Sequence, residues 1–171
     1  MLRSLISKFN DVKYFFSSLD ILIDLKNTKP KIVFFSENKI YQKFSEPIIN
    51  AICLNYTDEI YYLSIDKHDK INNKRVKNYF VNSLLINFIF NNFKAENMFL
   101  TTTDLGNNLI KKTKNIDKYI YYFHSPVSTT KNYTSGAFDN YDMIMCIGQF
   151  QIDEIRLRES LKKIKKKELI K

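Results

Sequence analysis

Glycine and proline are scarce, three of each in 171 residues, too few for long linkers between domains. Cysteine is scarcer still. Cys53 and Cys146 stand far apart, each in an apolar stretch, which excludes a disulfide framework and any cysteine-based metal spacing and reads as a reduced, cytoplasmic protein. No GxGxxG or P-loop follows the first apolar strand pattern, so the glycine-rich cradle for a dinucleotide or for ATP phosphates is absent. There is no GxSxG elbow for a nucleophilic serine. No uninterrupted apolar run reaches the ~20 residues that would cross a bilayer. A secretory signal is not expected either, because Asp11 and Lys13 interrupt the amino-terminal apolar region and no small-residue cleavage site follows.

What remains is a globular composition, 44% hydrophobic and 15% aromatic, at a length that suits one domain with a sizeable core. The net charge of +9 is concentrated at the carboxyl end. Residues Arg156 to Lys171 hold eight Lys or Arg against Glu159 and Glu168, a net +6, which leaves +3 for residues 1–155. The stretch reads as one basic helix, suited to an anionic membrane surface or to plain solvation. Nucleic acid is not an expected partner, since the body has neither an aromatic RNA-binding signature nor zinc-finger spacing.

Residues 1–27 form a separate unit. Leu2, Leu5, Phe9, Val12, Phe16, Leu19 and Ile23 recur at alternating spacings of three and four, with Ile6, Phe15 and Leu22 widening the stripe. That is one apolar face of an amphipathic helix, which fits a membrane interface, the body of the domain and a partner helix equally well. From residue 31 to 155 strand and helix patterns alternate. Lys31–Phe35, Glu59–Ile65, Met98–Thr101, Tyr119–Phe123 and Met143–Ile147 read as buried strands. Helices are expected from Ser45, with Pro47 in the first turn; from Asn82 or Ser83, with Leu85, Phe88, Ile89 and Phe93 inward; after a Thr102–Asp104 cap; and around Ala137–Asn140. Alternation of this kind predicts an α/β fold: a single Rossmann-like domain with a mostly parallel sheet, preceded by the amphipathic helix and followed by the basic helix of residues 156–171.

The candidate chemistry gathers at His124. The apolar strand beginning at Tyr119 ends abruptly there, which puts an ionisable ring at a sheet rim, and ligands of open α/β sheets bind outside the carboxyl ends of the strands. Ser125, Ser128, Thr129 and Lys131 follow closely, hydroxyls and a cation that suit a polyol or phosphate-bearing acceptor and also suit an ordinary hydroxyl-rich turn. Glu37, just past the first strand, is a further rim candidate or else a helix-start carboxylate. His68 lies in a charged loop and reads as exposed. Cys146, within an apolar strand, reads as packing.

TTDLGN at 102–107, YFHSPVST at 122–129, GAFDNYD at 136–142 and QIDEIR at 151–156 occur in that order. Together they resemble the amino-terminal half of CDP-glycerol glycerophosphotransferases, the teichoic-acid-type polymerases and primases of B-type glycosyltransferase fold. The resemblance spans about residues 31–159. It implies an acceptor-side domain in which His124 is the base for a glycan or polyol hydroxyl, although Ser125 and Pro126 replace the Gly-Thr of the family's turn. It also implies that the CDP-glycerol donor is bound by a carboxy-terminal domain that this sequence does not contain. Such a domain would belong to a longer enzyme or to a companion chain, and without it the chain is expected to be inactive. No cofactor or metal is expected, and the location implied is the cytoplasm or the inner face of the membrane. A non-catalytic membrane- or partner-binding module derived from the same fold stays open as the alternative.

Overall fold

The computed structural model describes residues 21–25, 28–107 and 109–171. Helix α1 is described over residues 21–25. The chain then runs through β1 (Ile32–Ser36), α2 (Gln42–Asn55), β2 (Ile60–Ser64), β3 (Val76–Phe80), α3 (Ile86–Asn92), β4 (Ala95–Leu100), β5 (Ile116–Tyr122), β6 (Met143–Met145), α4 (Gln149–Lys162) and β7 (Glu168–Ile170). The seven strands form one sheet in the order β3-β2-β1-β4-β5-β6-β7. Every neighbouring pair is parallel. The expected Rossmann-like sheet is therefore present, and all of its pairings are parallel.

The apolar runs explain the order of the strands. Every residue of β1 and of β2 is buried, because an interior strand of a parallel sheet is covered on both faces. Alternation then divides the core. Val33, Phe35, Leu63, Met98, Tyr119 and Tyr121 face a cluster closed by Ile21 and Leu25 of α1, by Ile86, Ile89 and Phe90 of α3, and by Ile155 of α4. Phe34, Tyr62, Phe99, Ile120 and Tyr122 face the other way, under Ile49 of α2 and its partly buried neighbours Phe44, Ile48 and Ile52. Phe34 and Phe99, on the adjacent strands β1 and β4, stack with ring centres 4.5 Å apart. Each such ring stabilises the fold by roughly 2–3 kcal/mol through burial alone.

The chain starts in the middle of the sheet, works outward to β3, and returns to lay β4 on the other side of β1. Successive connections therefore diverge between β1 and β4 and leave a crevice outside their carboxyl ends.

Several local expectations give way to other structure. The basic tail is not one helix. Helix α4 starts at Gln149 and ends at Lys162, and the left-handed backbone of the following Lys163 (φ 52°) lets its amide close onto the carbonyls of Glu159 and Ser160. The chain then turns back, and Glu168–Ile170 pairs with β6 as an edge strand. Ser45 is not a helix cap. The helix begins a turn earlier, through a 3-10 turn at Lys39–Tyr41 capped by Asn38 Oδ1, which accepts from Ile40 N at 2.9 Å. Pro47 therefore sits inside α2, where it cannot donate to the preceding turn. No helix follows Thr102 or forms at Ala137–Asn140; both stretches are turns. Asp104 and Gly106 adopt positive φ, and the amides of Asp104 and Gly106 donate to Ala137 O and Ile110 O, partners that a helix cannot provide. In α3 the inward residues are Ile86, Ile89 and Phe90, while Phe88 is 51% exposed.

The amino-terminal stripe lies mostly outside the described residues. Within α1 the inward residues are Ile21 and Leu25, and Ile23 is 72% exposed. No helix among the described residues is long and apolar enough to cross a membrane.

Candidate functional site

Three strands deliver the residues of the crevice. Glu37 follows β1, Thr101 and Thr102 follow β4, and His124 stands two residues past β5. His124 is half-buried. Its ring lies edge-on to Tyr41, with centres 5.1 Å apart, and 5.9 Å from the ring of Phe44 at the start of α2. This aromatic setting lowers the pKa of the imidazole below its ordinary value through burial, so the ring is neutral at pH 7. Its Nδ1 is buried and has no hydrogen-bond partner.

The same condition recurs beside it. The hydroxyls of Thr101, Thr102 and Tyr121 are also buried without a partner, and all belong to the carboxyl ends of β4 and β5, which are neighbours in the sheet. An unpaired buried polar group costs about 1–3 kcal/mol. These unused donors and acceptors lie at the carboxyl rim of the sheet, the side on which α/β folds bind ligands. Glu37 is the acidic member. Burial pushes its carboxyl up, an effect partly offset by the neighbouring Thr102 side chain, although no hydrogen bond of normal geometry reaches the Thr102 hydroxyl. Tyr141 closes the floor by donating to the carbonyl of Thr102.

No family model, curated protein or solved structure matches this chain.

The hydroxyl-rich segment after His124 is held elsewhere. Ser128 Oγ donates to Glu154 Oε1 at 2.7 Å, and Thr129 donates to Glu154 Oε2 through both its amide (2.5 Å) and its Oγ1 (2.7 Å). Burial alone would raise the Glu154 pKa, but the bonds from Thr129 and Ser128 outweigh it and hold the carboxylate below its usual range. Ser128 and Thr129 are thereby tied to α4. Lys131 is exposed, and its amide donates to Ser128 Oγ at 3.2 Å. Ser125 is half-buried next to His124. Of the residues singled out from the sequence, His124, Ser125 and Glu37 lie at the carboxyl rim of the sheet.

Thr101, Thr102, Tyr121 and Tyr41 were not singled out from the sequence. Thr102 reads in the sequence as a helix cap and as the first residue of TTDLGN, and the other cue is the switch from apolar to polar residues after Leu100. A second polar group lies beneath α2. There Tyr62 Oη donates to Asp69 Oδ1 (2.9 Å) and Oδ2 (3.1 Å), Ser64 Oγ donates to Asp69 Oδ2 (2.9 Å), and Ser45 Oγ lies 2.7 Å from Tyr122 Oη. This network is satisfied, and its role is structural.

His68 is exposed, with its amide on Asp66 Oδ1 at 2.9 Å. Cys146 is buried, and burial pushes its thiol up to about 11, which removes it as a nucleophile at neutral pH. Among the described residues no three His, Cys, Asp or Glu side chains are grouped to hold a metal ion.

Proposed function

We propose that this domain is the acceptor-side half of a glycerophosphotransferase of the CDP-glycerol type, with His124 as the general base. One observation carries the reading: a neutral, half-buried imidazole stands at the carboxyl rim of a parallel sheet, among polar groups that nothing in the fold satisfies. A base for an alcohol must be unprotonated near pH 7 and open to a hydroxyl, and His124 meets the first condition by burial. The family resemblance of residues 31–159 supports the same assignment.

In this mechanism Glu37, Thr101 and Thr102 hold the other hydroxyls of a glycan or polyol acceptor. The imidazole takes the proton of the attacking hydroxyl as its oxygen forms a bond to the β-phosphorus of CDP-glycerol. The bond from that phosphorus to the bridging oxygen breaks, CMP leaves with the electron pair, and the imidazolium returns its proton to solvent. The donor is held by a carboxy-terminal domain or a companion chain. The protein works in the cytoplasm, at the inner face of the membrane, where its amino-terminal stripe provides the contact.

The locking of Ser128 and Thr129 by Glu154 favours a second reading, a non-catalytic binding module of the same fold. An assembly that includes the donor-binding half distinguishes the two. His124→Ala should lower turnover by ~100- to 10,000-fold and leave donor affinity near normal. Turnover within a few-fold of the parent would make His124 a strand-end packing residue and leave the binding module standing.

A further inference from the structure

Part of the positive charge at the carboxyl end is gathered in one place. Lys165, Lys166 and Lys167 lead into β7 and line a cavity of about 270 Å³ whose other walls include Lys112, Asn140 and Asp142. All these residues precede β5, β6 or β7, so the cavity opens at the side of the sheet where those strands begin, away from His124.

The nearby carboxylates are already neutralised. Asp142 pairs with Lys112 at 3.2 Å, Asp139 with Arg158 at 2.7 Å, and Glu159 with Arg156 at 2.5 Å. Lys165, Lys166 and Lys167 form no ion pair among the described residues. Lys167 is the telling member, since it is only 7% exposed and lysine is almost never buried unless paired. Its backbone is pinned on both sides: its amide donates to the buried Glu159 Oε1 at 2.8 Å and its carbonyl accepts from Arg156 Nη2 at 3.0 Å. Burial lowers the Lys167 pKa against the raising influence of Asp139, Glu159 and Asp142. The fold thus places on the cavity wall a lysine that has no ion-pair partner among the described residues, beside the exposed Lys165 and Lys166.

We propose that Lys165, Lys166 and Lys167 form a binding site for a phosphate group, distinct from the His124 crevice. A dianionic phosphate supplies the charge that Lys167 lacks and accepts hydrogen bonds from several ammonium groups at once. The phosphate belongs either to a lipid headgroup or to a free phosphorylated ligand.

The test uses the full chain. Inorganic phosphate is titrated while the amide resonances of residues 140–142 and 165–168 are followed, with chloride at matched ionic strength as control. Saturable shifts confined to these residues are expected with phosphate and not with chloride. Lys167→Met, which keeps the buried volume, and the surface variant Lys165→Gln/Lys166→Gln should each weaken the effect about tenfold or more, while Lys114→Gln should not change it. Flotation with phosphatidylcholine vesicles, with and without phosphatidic acid, separates the two sources. Phosphatidic-acid-dependent recruitment that falls in the double variant assigns the headgroup, and phosphate shifts without such recruitment assign a free ligand. Shifts equal with chloride, or unchanged in both variants, overturn the site.

Discussion

Removing one hydroxyl from each of two buried tyrosines should change stability in opposite directions. Tyr62 and Tyr121 sit in the cores on opposite faces of the sheet, and both are fully enclosed. The Tyr62 hydroxyl reaches both oxygens of Asp69, at 2.9 and 3.1 Å, and Asp69 is itself only 3% exposed. Tyr62→Phe leaves that buried carboxylate with Ser64 Oγ as its remaining side-chain donor among the described residues. Hydrogen bonds to charged groups contribute ~1.5–3 kcal/mol, and an undersatisfied buried charge adds to the loss, so about 2–3 kcal/mol of destabilisation is expected. For a chain of this size that lowers Tm by roughly 4–10 °C. The Tyr121 hydroxyl is buried without a partner; Tyr133 is near enough to raise the Tyr121 pKa further, but burial is the main cause. Tyr121→Phe relieves an unpaired group and should be neutral or stabilising by about 1 kcal/mol. Urea unfolding followed by circular dichroism, with m-values compared, measures both. Destabilisation of Tyr121→Phe equal to that of Tyr62→Phe would refute the claim that the carboxyl rim of β4 and β5 carries unsatisfied groups.

Three further outcomes are expected. Glu37 has its folded pKa raised by burial from an ordinary 4.5, so its contribution to stability is intact below that value and is lost as pH rises through the folded one; Glu37→Gln should therefore raise Tm at pH 7 and not at pH 4. His124 has its folded pKa lowered from 6.5, so stability is full above 6.5 and declines as pH falls through the folded value; thermal scans from pH 7 to 5 should show a flatter profile for His124→Gln than for the parent. Lys163 occupies a left-handed position at φ 52° at the end of α4, where glycine has no Cβ penalty; Lys163→Gly should add about 0.5–1 kcal/mol in the same urea assay, and a loss would mean that the lysine side chain stabilises the turn.

The interior strands were legible because burial on both faces writes an unbroken apolar run, as in IVFF of β1 and YIYYF through β5. The edge strands were not. β3 reads VKNYF, and its burial is mixed because one flank has no neighbour. β7 is a short ELI after a lysine-rich run, and only its pairing with β6 makes it a strand. The turn after β4 was misread because a Thr-Thr-Asp cap is a local signal, whereas the bond from Asp104 N to Ala137 O is a long-range one. The rim positions of His124 and Glu37 were legible because each marks the end of an apolar run. The orphan hydroxyls were not, since whether a hydroxyl is satisfied depends on what lies across the sheet. Ser128 and Thr129 looked free for the same reason: Glu154, their acceptor, is about 25 residues away in the chain.

The pairing of β1 with β4 has a consequence for how the protein folds. Their register joins Ile32 to Asn97 and Phe35 to Leu100, so about 65 residues must be looped out before the two strands meet, and the loop-closure entropy must be met before any crevice exists. Glu37 and Thr102 are strangers in the chain until that moment. With every neighbour pair parallel, no hairpin provides a local nucleus for the sheet, and such topologies fold slowly for their size. The β2–β3 flank and the β5–β6 flank can each form within a shorter segment. The amides shared by β1 and β4 mark the seam between them, and in a refolding reaction sampled by hydrogen exchange they should gain protection last, together with the capacity to bind anything at His124.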